Sequence, residues 1–353
     1  MRKGRDSLII LGVLLLAMLI AGFAGAGDII IGKKLADSQD FSGYVIPAGQ
    51  VLDLGGETIT IKRPILCYGT IRNGSIDGTA LNQYEGGVYV MKAATGAVIE
   101  NITFKGGSFN GLAKIWGNGA KIINCGVEEK TGWGVQVLGA DDGLISGWKQ
   151  KNTRRGGIYF GDGTGYGTKL ECKNWTVENS TLINSDNEAV FRINTAVGLM
   201  VRDCFFDNSK SDSGKEAVQP RGREMTFLRC VIVGSTSSGQ QPNGQTQSSV
   251  VQFIDSTIYG YNSIEAGGDV TFTRCQLIHQ PSWTYNGQTY TLKTTGNGCP
   301  VNPQSAARGL PDGKARLTDC LVIAKELTKA PKRVSYAGLK LNSKLVPATQ
   351  PSK

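Results

Sequence analysis

The chain has 353 residues, with 48 glycines, 11 prolines, eight cysteines, a single histidine and a formal net charge of +9. Abundant glycine without long helical periodicity argues against a helical bundle, and the lone His279 with no Cys-x-x-Cys spacing argues against a zinc module. A basic balance points to an acidic partner, and outside the cell that means an acidic polysaccharide or an anionic envelope surface rather than nucleic acid. Residues 1–26 read as a signal peptide: basic Met1-Arg2-Lys3-Gly4-Arg5, an apolar run from Leu8 to Phe23, then Ala24-Gly25-Ala26. Cleavage there predicts a secreted, periplasmic or cell-envelope protein with no remaining membrane span; an uncleaved anchor is the alternative, because the run is almost long enough to cross a bilayer.

After a lead-in or cap over 27–43, a short phrase recurs at intervals of about two dozen residues. It has an apolar residue, a spacer, a polar bend residue, a small residue or cysteine, a spacer and another apolar residue. Copies include Ile71-Arg72-Asn73-Gly74-Ser75-Ile76, Ile99-Glu100-Asn101-Ile102-Thr103-Phe104, Val177-Glu178-Asn179-Ser180-Thr181-Leu182 and Val201-Arg202-Asp203-Cys204-Phe205-Phe206, with others around Cys125, Cys230, Ser256, Cys275 and Cys320. Strict alternation would put Val201 and Phe206 on opposite faces, so the chain must bend between them. Asn73, Asn101, Asn124, Asn179, Asp203, Asp255 and Asp319 occupy that bend, and Asn and Asp are the non-glycine residues that best tolerate a left-handed backbone. Cys125, Cys204, Cys230, Cys275 and Cys320 then share one column pointing inward, unpaired; a disulfide among the off-column Cys67, Cys172 and Cys299 is left open.

These phrases resemble the right-handed parallel β-helix, the pectin-lyase-like superfamily, in which an Asn-rich corner separates the second and third strands of each coil. The resemblance covers 44–322, beginning with Tyr44-Val45-Ile46-Pro47-Ala48-Gly49-Gln50-Val51-Leu52-Asp53-Leu54-Gly55-Gly56 as a first coil, and leaves 323–353 as a basic tail. It implies an all-β, single-domain solenoid of about ten coils, near ~50 Å long, monomeric. It does not imply one activity, since this scaffold hosts lyases, hydrolases, epimerases and proteins with no chemistry.

In such enzymes the groove follows the first strand of each coil. Here Asp186-Asn187-Glu188-Ala189-Val190-Phe191-Arg192 and Gly214-Lys215-Glu216-Ala217-Val218-Gln219-Pro220-Arg221 adjoin, and both pair a Glu-Ala-Val opening with an arginine. Stacked, Glu188 would lie beside Glu216 and Arg192 near Arg221, with Ala189, Phe191 and Ile193 inward. Two neighbouring carboxylates call for a shared cation or a guanidinium. The stretch from Lys215 to Arg221 is faintly similar to alginate and chondroitin lyases, whereas the Asp141-Asp142 and Arg192-Ile193-Asn194 segments fall short of a polygalacturonase pattern.

The resulting expectation is an exported protein acting on an acidic polysaccharide, as a lyase or epimerase. Arg192, Arg221 and Lys215 would be the catalytic groups, Glu188 and Glu216 the ligands of a Ca²⁺ ion, and Tyr159, Gln219 and Glu265 the substrate contacts. Trp133, Tyr166, Trp283 and Tyr285 are further aromatics suited to sugar rings, and the uncharged Gly234–Ser248 stretch reads as a loop bordering the groove. Against this stands a non-catalytic envelope or adhesion rod, on which the Glu and Arg residues form a solubilising ladder.

Overall fold

A computed structural model describes residues 28–31, 36, 39–82, 84–106, 111–128, 132–161, 171–211, 216–239, 249–291, 299–307 and 310–345. The chain winds as a parallel β-helix. One face is an eleven-stranded parallel sheet: Val45–Ile46, Ile65–Cys67, Val88–Val90, Ala113–Ile115, Val135–Leu138, Ile158–Gly161, Phe191–Ile193, Val218–Pro220, Thr236–Ser238, Asn262–Ile264 and Val301–Pro303. A 24-stranded sheet supplies the other two sides. No helix among the described residues is long and apolar enough to cross a membrane.

The corner between second and third strands falls where the bend residues predict. Asn73, Asn101, Asn124, Asn179, Asp203, Asp255 and Asp319 all have φ between 50° and 59°. Pairings either side of the corner align them coil upon coil, for example Arg202↔Leu228 followed by Phe205↔Val231. Arg229 and Arg274 occupy the same corner at φ 51° and 50°. These two were not anticipated. They alternate with the aspartates, Arg229 gripping Asp203 through Nε (2.7 Å) and Nη2 (2.7 Å), and Arg274 gripping Asp255 likewise (2.6 and 2.8 Å). The strain of a left-handed arginine is thus offset by a bidentate bond to the coil before.

One residue past the corner lies the thiol column. Cys204, Cys230, Cys275 and Cys320 each donate to the carbonyl two residues earlier, as Ser180 and Ser256 do through their hydroxyls. In these coils a small side chain with an X–H group bonds back across the corner, whereas buried Ile102 and Trp148 take the equivalent place in others. All eight cysteines are buried and none is joined in a disulfide among the described residues, Cys67, Cys172 and Cys299 included. Burial pushes the Cys67, Cys125 and Cys172 thiols up to about 12.

Inside, one continuous apolar cluster runs from Ile31 to Leu339, with Phe227, Phe253 and Phe272 stacked in successive coils. The stack extends beyond the expected boundaries. Ile29–Ile30 pairs in parallel with Leu52–Asp53, inside the expected lead-in. At the other end Val334–Ala337 and Lys340–Leu341 continue both ladders. The helix therefore does not end at 322. Val334 and Leu339 fill the core and Gly338 takes the corner at φ 62°, a rung that its lysines and prolines disguise in sequence.

The Gly234–Ser248 stretch also differs from expectation. Thr236–Ser238 is the first strand of its coil, pairing with Asn262–Ile264, while 240–248 lie outside the described residues. It contains no apolar residue because its inward positions form a polar ladder instead. Thr236 donates to Asn262 Oδ1 (2.7 Å), whose Nδ2 donates to the Pro300 carbonyl (2.8 Å).

Candidate functional site

Two inward residues flank one outward residue on each strand of the eleven-stranded sheet. The strand pairings align the outward residues as Tyr89, Lys114, Gln136, Tyr159, Arg192 and Gln219. Ser237, Ser263 and Asn302 continue the row. Nine consecutive coils thus present polar or aromatic side chains, and the only charged members are the cations Lys114 and Arg192. Phe191, rather than Val190, stands in the inward column with Ile158 and Val218, while Ala189, Phe191 and Ile193 are buried as expected.

Arg192 lies at the centre. Its Nη1 donates to Glu188 Oε2 at 2.6 Å and its Nε to Asn194 Oδ1 at 3.4 Å. Asn194 Nδ2 in turn donates to the Tyr159 hydroxyl (3.2 Å), and the guanidinium lies 5.9 Å from the Tyr159 ring centroid. Trp133 also packs on that ring, with centroids 5.1 Å apart. Tyr159, Arg192, Asn194 and Glu188 form one connected network across two coils. Asn194 was not singled out from sequence, although two residues beyond Arg192 on a strand is the same face.

The other expected residues fall into separate pairs. Gln219 Nε2 donates to Glu216 Oε2 (2.8 Å). Arg221 Nη2 reaches Glu265 Oε1 at 3.4 Å, and the same oxygen accepts from Ser237 Oγ at 2.6 Å. Buried Asn208 ties the two segments together, donating to the carbonyls of Glu188 (3.3 Å) and Glu216 (3.0 Å). Lys215 and Tyr166 lie outside the described residues.

The expected stacking of Glu188 on Glu216 and of Arg192 on Arg221 does not occur. Phe191 is level with Val218, so Arg192 faces Gln219 and, counting back, Ala189 rather than Glu188 stands beside Glu216. The repeated Glu-Ala-Val is one residue out of step, because Phe191 and not Val190 takes the inward place opposite Val218. Calcium takes six to eight oxygens, and this arrangement does not assemble them: Glu188 is held by Arg192 and Glu216 by Gln219. Among the described residues no three Asp, Glu, His or Cys side chains converge to hold a metal ion.

A second cluster occupies the earlier coils of the same face. Lys114 Nζ donates to the Tyr84 carbonyl (2.8 Å) and sits 5.6 Å from the Tyr89 ring centroid, with Trp116 edge-on to that ring at 5.2 Å. Burial lowers the pKa of Lys114, with Glu85 acting in the opposite direction. Trp283 and Tyr285, by contrast, are remote from this face. They belong to an antiparallel hairpin, Ser282–Tyr285 with Gln288–Thr291, that covers Phe205, Val233, Tyr259 and Ile278 on the third strands. Trp283 packs on Tyr259 (5.4 Å) and Tyr285 on Phe205 (6.1 Å), so they complete a small satellite core. Asp141 and Asp142 serve a turn, accepting from Lys173 N and Asn174 Nδ2.

Comparison with known proteins agrees with this architecture. Residues 65–232 match the family described as "Right handed beta helix region", and the fold is a right-handed parallel β-helix. No curated protein sequence matches the chain. Among solved structures, the chain resembles PfbA, a surface adhesin of Streptococcus pneumoniae, at a TM-score of 0.53 and 10% identity over 87% of this chain and 84% of that one. It also resembles the Agl-KA catalytic domain, at 0.59 and 12% identity over 96% of this chain and 66% of that one. At such identities the likeness is one of fold.

Proposed function

We propose that this protein is an exported carbohydrate-binding β-helix that holds an acidic polysaccharide along its eleven-stranded face, centred on Tyr159, Arg192 and Gln219. The outward row carries the reading. From Tyr89 to Asn302 it offers planar rings, amides and hydroxyls to sugar faces and hydroxyls, and its two charges are both positive. The net charge, still +7 once Arg2, Lys3, Arg5 and Asp6 leave with residues 1–26, acts in the same direction. A β-elimination would need a base to take the proton α to a uronate carboxylate while cations stabilise the enolate. Arg192 and Arg221 are engaged by Glu188 and Glu265, and a guanidinium is a poor base. That state favours holding the chain over cleaving it, and no step of this reading passes through a metal ion.

The test is to titrate the protein with alginate, pectate and chondroitin by calorimetry while following the absorbance of unsaturated uronate. Binding that weakens as salt rises, without new absorbance, is the expected result. A steady absorbance rise with one polymer would make the face a lyase site, and absence of binding to all three would leave the protein as a rigid rod whose charges only solubilise it.

A further inference from the structure

We infer that the face carries two equivalent sugar-binding stations, Tyr89–Lys114–Gln136 and Tyr159–Arg192–Gln219, which grip one linear acidic chain at two points three coils apart. The inference rests on the polysaccharide reading above and adds its geometry. Along the outward row the order tyrosine, cation, glutamine occurs twice in six consecutive coils. The correspondence extends to the surroundings. Each tyrosine ring is packed by a tryptophan, Trp116 at 5.2 Å and Trp133 at 5.1 Å. Each cation lies near the ring of the preceding coil, 5.6 Å for Lys114 and 5.9 Å for Arg192. A glutamate accompanies each cation, Glu85 acting on Lys114 and Glu188 bonded to Arg192. Both glutamines are mostly buried, at 9% and 7% exposure, although they point away from the core. Gln219 Oε1 is buried with no hydrogen-bond partner among the described residues.

Nothing in the fold demands this recurrence. A solenoid requires inward apolar residues and corner residues; the outward row is free to vary. Two stations alike in five features therefore point to two units of one ligand. Equivalent atoms are three coil steps apart, ~14 Å. An extended pyranose chain advances by about one coil step per residue, so a chain lying along the row would place one sugar on Tyr89 and the third sugar beyond it on Tyr159. Cation and ring together suit a uronate, its carboxylate toward Lys114 or Arg192 and its apolar face on the tyrosine.

Two linked weak sites produce a step in affinity once the ligand spans both. The experiment is calorimetry of the whole protein with uronate oligomers of defined length, from dimer to octamer, prepared from the polymer it binds. Affinity is expected to change little up to the trimer and then rise by roughly a hundredfold between trimer and pentamer. Lys114→Gln and Arg192→Gln should each remove the step while leaving trimer-level binding, and the double variant should bind no oligomer; circular dichroism checks that the fold is kept. Tyr89→Leu is an independent probe of the first station and should also remove the step. A smooth dependence on length, or a step that survives Lys114→Gln and Tyr89→Leu, overturns the two-station inference while leaving polysaccharide binding intact. Failure of the parent to bind any oligomer or polymer overturns both.

Discussion

Replacing Phe253 with alanine should be among the most damaging single changes to this helix. The ring is 1% exposed and lies between Phe227, stacked at 4.9 Å, and Phe272, stacked at 5.2 Å. Truncation removes the transfer energy of the ring and leaves a cavity, together about 3–5 kcal/mol. It also removes two ring pairs, each worth ~0.5–1.5 kcal/mol beyond area. The cavity cannot easily collapse, because the strands on either side are held at fixed spacing by the ladders Leu228↔Ile254 and Ile254↔Thr273. The expected loss is therefore ~4–8 kcal/mol, against a total stability of about 5–15 kcal/mol for an ordinary protein. Phe253→Leu keeps most of the volume and should cost less than about 2 kcal/mol. Urea unfolding followed by far-ultraviolet circular dichroism measures both. A loss under ~2 kcal/mol for the alanine variant, or equal losses for the two, would refute the stacked-core reasoning.

Thiol counting should find no rapidly reacting cysteine in the native protein and eight after denaturation, because every thiol is buried and several are pushed up to about 12; a count of six or fewer in urea would reveal a disulfide. The bonds from Arg229 and Arg274 hold the Asp203 and Asp255 carboxyls below their ordinary value of 3.8. A lowered folded-state pKa gives stability that is present above the unfolded value and lost as pH falls through the folded one, so the protein should weaken below about pH 4. Asp203→Asn with Asp255→Asn keeps corner-tolerant residues, and its thermal midpoint should lie below the parent at pH 7 and converge with it near pH 2; parallel curves would count against the ladder. Gly111→Ala should destabilise by more than about 1–2 kcal/mol, since φ is +51° and the new Cβ would meet the Trp133 carbonyl; an unchanged melting temperature would contradict that geometry.

The corner was legible because Asn and Asp declare a left-handed backbone in their own chemistry. Arg229 and Arg274 were not, since their strain is relieved by partners a full coil away. The strand at Thr236–Ser238 was illegible for a related reason: inward polarity is satisfied by Asn262 in the next coil, and nothing local marks it as core. At the candidate site the sequence placed Arg192, Tyr159 and Gln219 on the right face. It misjudged their neighbours, because a one-residue phase difference between Glu-Ala-Val copies is decided by which apolar residue finds room inside. Lys114 went unrecognised until register set it three coils from Arg192.

The stacked corner has a further meaning for how such a molecule can change. Its length is constant from the Asn73 coil to the Gly338 coil, whereas the chain between corners varies freely, from the 19 residues separating Asp255 and Arg274 to the much longer coil that carries the aromatic hairpin. Insertions are therefore absorbed at the rims, and whole turns can be gained or lost by recombination at equivalent corner positions without disturbing the ladders on either side. Such an event lengthens or shortens the outward row by one place. The molecule is in that sense a ruler graduated in single coils, and the distance between two marks on it can be reset by a crossover far from either.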